Sequence, residues 1–229
     1  MLPPPPAWAA FCEGAGIARD DTVVLYDAAG LFSAARGWWT FRVFGHVGAV
    51  AVLEGGLPAW TKAGLATESG PPAPPPRVGP YAAALQPRLV RSLEEVLREC
   101  VDAPRRSKLV DVRPAARFEG AAPEPRPGLR SGHAPGAKNL PLSALVDPST
   151  GALRSHAELR AAFAAAGVEV ARDAGGAPPP PVVASCGTGV TACVAALAAA
   201  VLGRDDVAVY DGSWAEYGAR SDTPVVTGP

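Results

Sequence analysis

The pattern of apolar and polar positions divides the chain into short apolar runs separated by segments of helical spacing. Lys108-Leu109-Val110-Asp111-Val112 is an apolar run edged by charge and predicts a buried strand. Pro181-Val182-Val183-Ala184-Ser185 and Val207-Ala208-Val209-Tyr210 predict two more. Between them, residues 191–202 are Ala-rich and apolar, and Gly203 stops them, which predicts a helix. Ser92-Leu93-Glu94-Glu95 and Ser155-His156-Ala157-Glu158 both carry the capping-box spacing, in which serine and glutamate each satisfy a free backbone donor. The second box predicts a helix over residues 159–166, closed by Gly167. Strand, helix, strand in this order implies parallel pairing and an α/β layered fold.

A similar order comes earlier in the chain. Thr22-Val23-Val24-Leu25-Tyr26-Asp27 predicts a strand, the segment around Trp38-Trp39-Thr40-Phe41-Arg42 a helix, and Ala49-Val50-Ala51-Val52-Leu53 a second strand. Glu54-Gly55-Gly56-Leu57-Pro58-Ala59-Trp60 follows, and the later half ends its own series in Asp211-Gly212-Ser213-Trp214. The shared order favours an internal duplication with Asp27 in register with Cys186. Only the second copy then has a thiol at that place.

The proline runs set the divisions. Residues 69–80 hold six prolines and cannot enter the interior of a sheet or helix. They predict an extended linker over residues 69–85, joining a first part, 1–68, to a second, 86–229. The Pro-rich stretch 121–132 predicts a loop, and the run from Pro178 to Pro181 predicts another.

Composition narrows the chemistry. The 229 residues are 48% hydrophobic and 19% charged, the balance of a soluble globular protein. A net charge of −1, from 21 basic and 22 acidic residues, argues against a nucleic-acid footprint. No apolar run reaches membrane-span length, and the start shows no basic segment leading into an apolar one, so no secretory signal is visible. The four cysteines, Cys12, Cys100, Cys186 and Cys193, lack paired C-x-x-C spacing and fit thiols in a reducing compartment.

Cys186-Gly187-Thr188-Gly189-Val190-Thr191-Ala192 lies between a predicted strand and a predicted helix. A cysteine leaving a strand into such a loop lies among backbone N–H groups and a helix N-terminus, which favour an anion on its sulfur. Read from position alone, Cys186 is either a reactive thiol or a core cysteine in a Gly-rich turn. Cys193 reads as a packed residue of the following helix, His133 as part of a turn, and His46 and His156 as lacking partners for a ligand set. Trp38, Trp39, Trp60 and Trp214 read as packing residues.

The loop resembles the active-site loop of 3-mercaptopyruvate sulfurtransferases, in the rhodanese family, whose pattern is Cys-Gly-Ser/Thr-Gly-Val-Thr. Gly132-His133-Ala134-Pro135-Gly136-Ala137, Asp111-Val112-Arg113, Tyr210-Asp211-Gly212-Ser213-Trp214 and Ser33-Ala34-Ala35-Arg36-Gly37-Trp38-Trp39 resemble further family segments in the family's order. The resemblance implies tandem rhodanese-like domains, each a parallel five-stranded sheet flanked by helices, the first incomplete. It implies a persulfide on Cys186, with Gly187, Gly189, Val190 and Thr191 shaping the loop and Thr188 at the family's hydroxyl position. Arg117 and Arg126 match the two arginines that grip mercaptopyruvate. Neutral Gly187 and Thr188 stand where thiosulfate-using members carry basic residues, which implies that thiosulfate is the poorer donor. The implied acceptor is a thiol, such as thioredoxin or a small dithiol, or cyanide, and no metal or organic cofactor is required. The family's compartments imply a cytoplasmic or mitochondrial protein, with any targeting segment absent from this sequence.

The sequence departs from the family at its start. Family members have further residues ahead of the segment matching Met1, including first strands and an Asp and a His thought to complete a relay with the loop hydroxyl. Their absence implies exposed apolar edges in the first part and reduced activity. The rival reading is a catalytically weak rhodanese-like module for binding or redox sensing. A cysteine phosphatase would need an arginine six positions past the cysteine, where Ala192 stands.

Overall fold

The computed structural model describes residues 1–170 and 179–229. The first part contains α1 (Pro5–Gly14), β1 (Val23–Leu25), α2 (Ala34–Val43), β2 (Val50–Val52) and α3 (Gly56–Lys62). Residues 65–86 then form neither helix nor strand. The second part runs β3 (Val90–Arg91), α4 (Leu93–Val96), β4 (Lys108–Asp111), α5 (Ala115–Phe118), β5 (Lys138–Asn139), α6 (Leu142–Leu145), α7 (His156–Ala165), β6 (Val182–Ser185), α8 (Ala192–Val201), β7 (Ala208–Tyr210) and α9 (Ser213–Tyr217). A π-helical turn, Leu97–Val101, continues α4. Both capping boxes form as predicted, at Ser92 with Glu95 and at Ser155 with Glu158.

Five parallel strands lie in the order β3-β7-β6-β4-β5, and β1 and β2 form a separate two-stranded parallel sheet. β6 is buried at every position, as a parallel strand covered on both faces requires. The first sheet is incomplete, as expected, and its outer face leaves Val24 57% and Tyr26 59% exposed. Pro178 lies outside the described residues, whereas Pro179–Pro181 lead directly into β6 without helix or strand.

One apolar core crosses both parts. Residues 192–199 of α8 are all buried, and small alanines there let α2 approach with Trp38 and Trp39. Trp39 also donates its Nε1–H to the Leu89 carbonyl at 3.1 Å. Trp60 departs from the expected packing role. It is 37% exposed and donates to the Ala66 carbonyl. Helix α1 was not legible behind four prolines, yet Pro5 opens it because a first-turn residue needs no N–H partner. Two-residue strands β3 and β5 are too short to display an alternation.

The duplication is visible in backbone geometry. The Leu57 N–H donates to the Asp27 carbonyl at 2.9 Å, and the Trp214 N–H donates to the Cys186 carbonyl at 2.9 Å. Gly56 and Ser213 stand at matching places, both at positive φ, +59° and +49°. Where the second copy has the Cys186 sulfur, the first has the Asp27 carboxylate. It accepts N–H bonds from Phe32, Ser33 and Ala34 at 2.7–2.8 Å and a short one from the Ser33 hydroxyl. Burial alone would raise the Asp27 pKa, but these bonds outweigh it and hold the carboxyl below its usual range.

Asp27→Asn is expected to cost about 1–3 kcal/mol near neutral pH, because it removes the charge from these hydrogen bonds. The folded pKa is depressed, so this stabilisation is complete above the unfolded value of about 3.9 and fades as pH falls through the folded one. Denaturant unfolding of both proteins across that acidic window checks it. An unchanged gap at the acid end contradicts the account.

Candidate active site

The loop after β6 and the start of α9 build the site together. Pairing of β4 with β6 puts Asp111 opposite Ser185, so the segment after β4 reaches the same end of the sheet as Cys186. Cys186 is 2% exposed, and its sulfur accepts a hydrogen bond from the Gly189 N–H at 3.2 Å. The Cys186 N–H donates to Ser213 Oγ at 3.2 Å, and that hydroxyl donates to the Tyr210 carbonyl at 2.8 Å. The Ala215 N–H donates to the Gly187 carbonyl at 2.9 Å. The first two residues of the loop, Cys186 and Gly187, are therefore tied to α9.

Gly189 has φ +75°, and a Cβ there would lie 2.7 Å from the Asp211 carbonyl oxygen. Only glycine fits both the conformation and the space. A Cβ at Gly187 would lie 3.4 Å from Arg117 Nη2, so Arg117 flanks the residue that follows Cys186. Arg117 in turn is held by Glu124, through Nε at 3.1 Å and a short Nη2 contact. Glu124, with a side chain 1% exposed, also accepts from Arg113 Nη1 at 2.7 Å. Arg113 grips Asp111 through Nε and Nη2, donates to the Gly132 carbonyl, and lies 4.1 Å from the Trp214 ring centroid. Two arginines and two carboxylates thus form a neutral, largely buried chain that ends at Arg117.

Not every predicted site residue is gathered in. Thr188, Val190 and Thr191 are half-buried on the loop, and among the described residues no hydrogen bond engages the Thr188 hydroxyl. Arg126 is exposed in the loop before β5, with no hydrogen bond or ion pair among the described residues. Cys193 is buried beneath the loop, where its S–H donates to the Gly189 carbonyl at 3.2 Å, and burial pushes its thiol pKa far up. His133 is buried, stacked on Phe118 at 3.7 Å, with Nδ1 facing the Phe118 carbonyl. Among the described residues, no cluster of His, Cys, Asp and Glu could hold a metal, and no helix is long and apolar enough to cross a membrane. A groove of about 480 Å³ beside β2, lined by Trp38, Leu153 and Leu197, contains no residue of the Cys186 loop.

Sequence reasoning missed three contributors: Ser213, Glu124 and Arg36. Ser213 lies in the segment Tyr210–Trp214, whose residue types do not reveal its positive φ. Glu124 lies in the Pro-rich stretch 121–132, where the sequence shows only a loop. Arg36, on α2 of the first part, donates to the Gly189 carbonyl across 153 residues.

A parallel β3-β7-β6-β4-β5 sheet with a cysteine loop at the end of its middle strand defines a rhodanese-type sulfurtransferase fold. The rhodanese-like domain family matches residues 3–63 and 92–220. The chain is 41% identical over 225 residues to the 3-mercaptopyruvate sulfurtransferase of Escherichia coli, covering 98% of this chain and 75% of that one. It is 40% identical to thiosulfate/3-mercaptopyruvate sulfurtransferase 1, mitochondrial, of Arabidopsis thaliana, covering 98% of this chain and 61% of the relative. Among solved structures, the E. coli 3-mercaptopyruvate sulfotransferase SseA matches at TM-score 0.75 and 36% identity, over 93% of this chain and 74% of that one. The Tum1 protein of Saccharomyces cerevisiae matches at TM-score 0.84 and 29% identity, over 99% and 76%. The chain belongs to the 3-mercaptopyruvate/thiosulfate sulfurtransferase family of rhodanese-like enzymes.

Ser213→Ala is expected to destabilise the protein by about 1–3 kcal/mol, since the Cys186 N–H loses its acceptor while the residue keeps its unfavourable φ. Ser213→Gly relieves that backbone conformation, so it unfolds at higher denaturant than Ser213→Ala. Equal midpoints for the two variants would falsify the strain account.

Proposed function

We propose that the chain moves sulfane sulfur from 3-mercaptopyruvate, and less well from thiosulfate, to a thiol or cyanide acceptor through a Cys186 persulfide. The observation that carries this reading is the Gly189 N–H on the Cys186 sulfur, in a loop flanked by Arg117. The homologues' names supply the donor class. On this reading residues 86–229 carry the chemistry, residues 1–68 support them, and residues 69–85 connect the two. A cytoplasmic or mitochondrial setting belongs to the same proposal.

Arg117 holds the donor carboxylate with the guanidinium edge that Glu124 leaves free. Arg126 supplies a second grip once its loop folds inward over the donor. The Cys186 thiolate attacks the donor sulfur, forming an S–S bond as the C–S bond breaks. The carbon leaves as the enolate of pyruvate, and the proton from the donor thiol, relayed by the Thr188 hydroxyl, returns to that carbon. The Gly189 N–H steadies negative charge on the sulfur throughout. An acceptor thiolate then attacks the outer sulfur and Cys186 leaves as thiolate. With a dithiol, the second thiol expels hydrogen sulfide and closes a disulfide. No step calls for a metal or an organic cofactor.

Pyruvate release from 3-mercaptopyruvate with a dithiol acceptor is expected for the wild type and lost by about a thousandfold or more in Cys186→Ala. Arg117→Lys is expected to raise KM for mercaptopyruvate about tenfold, with a smaller effect on thiosulfate, because one ammonium cannot replace a planar fork. Folded protein that turns over neither donor would overturn the enzyme reading and leave the binding or redox-sensing module.

A further inference from the structure

Helix α2 belongs to the part of the chain without a nucleophile, yet one of its side chains ends inside the catalytic loop. Arg36 Nη1 donates to the Gly189 carbonyl at 3.1 Å and stands 2.6 Å from Asp211 Oδ1, close enough for an ion pair without an aligned hydrogen bond. Its guanidinium carbon lies 4.6 Å from the Trp39 ring centroid, and only 17% of its side chain is exposed. The other Asp211 oxygen accepts the Leu2 N–H at 2.6 Å, so the carboxylate is itself held in place. The Gly189 carbonyl has a second donor, the Cys193 S–H at 3.2 Å.

These contacts converge on one residue. Gly189 is the residue whose N–H reaches the Cys186 sulfur, and its φ of +75° is freely available to a glycine and readily lost by one. Two donors on its carbonyl fix the rotation of the following peptide and so fix the residue between them. An unanchored Gly189 could turn its N–H away from the sulfur. We propose that Arg36 is a positioning residue for the sulfur-transfer reaction: it holds Gly189 in the conformation that aims its N–H at Cys186. The inference rests on Cys186 acting as the nucleophile. It gives the first part of the chain a role in chemistry beyond packing.

Arg42 supplies the control. It lies on the same helix and also reaches the second part, donating to the Asp205 carbonyl at 2.9 Å with an ion-pair contact to the same residue at 3.7 Å. Among the described residues, no hydrogen bond or ion pair joins it to the Cys186 loop. If Arg36 merely docked α2 onto the second part, Arg36→Gln and Arg42→Gln would act alike.

The measurement is the rate at which iodoacetamide alkylates Cys186 in the full chain, located by peptide mass and followed across pH. Thermal unfolding is recorded for every variant. Alkylation needs no sulfur donor, so it stays informative even if the protein turns over neither mercaptopyruvate nor thiosulfate. Arg36→Gln is expected to slow alkylation about tenfold near neutral pH, the effect of one weakened bond to a charged sulfur. Arg36→Lys is expected to be intermediate, about threefold slow, because it keeps the charge and can reach one acceptor but not two. Arg42→Gln is expected to follow the wild-type profile. The proposal is overturned if Arg36→Gln superimposes on wild type, or if Arg42→Gln slows alkylation as much. Should Arg36→Gln fail to fold, Arg36→Lys decides alone, and a profile equal to wild type overturns the proposal.

Discussion

A parallel strand that ends beneath a helix leaves its last carbonyl and the next N–H without ladder partners, and buried backbone groups must find them. The rest of this structure depends on how that demand is met at the ends of β1 and β6. Each time, the acidic-Gly turn after the neighbouring strand sends an N–H back to the departing carbonyl, from Leu57 to Asp27 and from Trp214 to Cys186. Reaching back requires a residue at positive φ, Gly56 in one copy and Ser213 in the other. The second copy accepts an unfavourable backbone at a serine because the hydroxyl also takes the Cys186 N–H. The backbone N–H and carbonyl of Cys186 are thus both engaged.

A second constraint concerns charge. Arg113, Asp111 and Glu124 are almost wholly removed from water, and no one of them could be removed without stranding another. The chain is neutral when Arg117 is counted, so the partly exposed end of it offers directed donors with little net field. It also ties the loop after α5 to Trp214 on α9, through the Arg113 guanidinium lying over the indole.

Much of this was legible in the residues. The order of strands and helices followed from apolar runs and capping boxes, because a buried parallel strand and a boxed helix start are local signals. Cys186 was legible as a loop cysteine, and the duplication as a repeated order ending in an acidic-Gly turn. What stayed hidden was non-local or too short to carry a pattern. Glu124 binds Arg117 only because a loop folds back. Arg126 matched a family position yet lies exposed, since spacing along the chain does not say which way a loop residue faces. The two-residue strands β3 and β5 take their place from neighbours, not from their own sequence, and Pro5 begins a helix in a run of prolines that discourages one.

The same fold asks different things of its two copies. Asp27 is an anion at all but acidic pH, and it is saturated by three backbone donors and a hydroxyl, so it has no chemistry left. What it does is fix the start of α2, since Ala34, the first residue of that helix, is among its donors. Arg36 lies two residues further on. The carboxylate therefore sets the direction from which Arg36 reaches Gly189, and Gly189 in turn faces Cys186. A saturated anion fixes the start of the helix that carries a cation, the cation holds a peptide carbonyl, and the N–H of the same residue donates to the Cys186 sulfur. Divergence after duplication left one copy with a saturated carboxylate and the other with the cysteine loop, and among the contacts between the two parts it is the Arg36 guanidinium that reaches the loop itself.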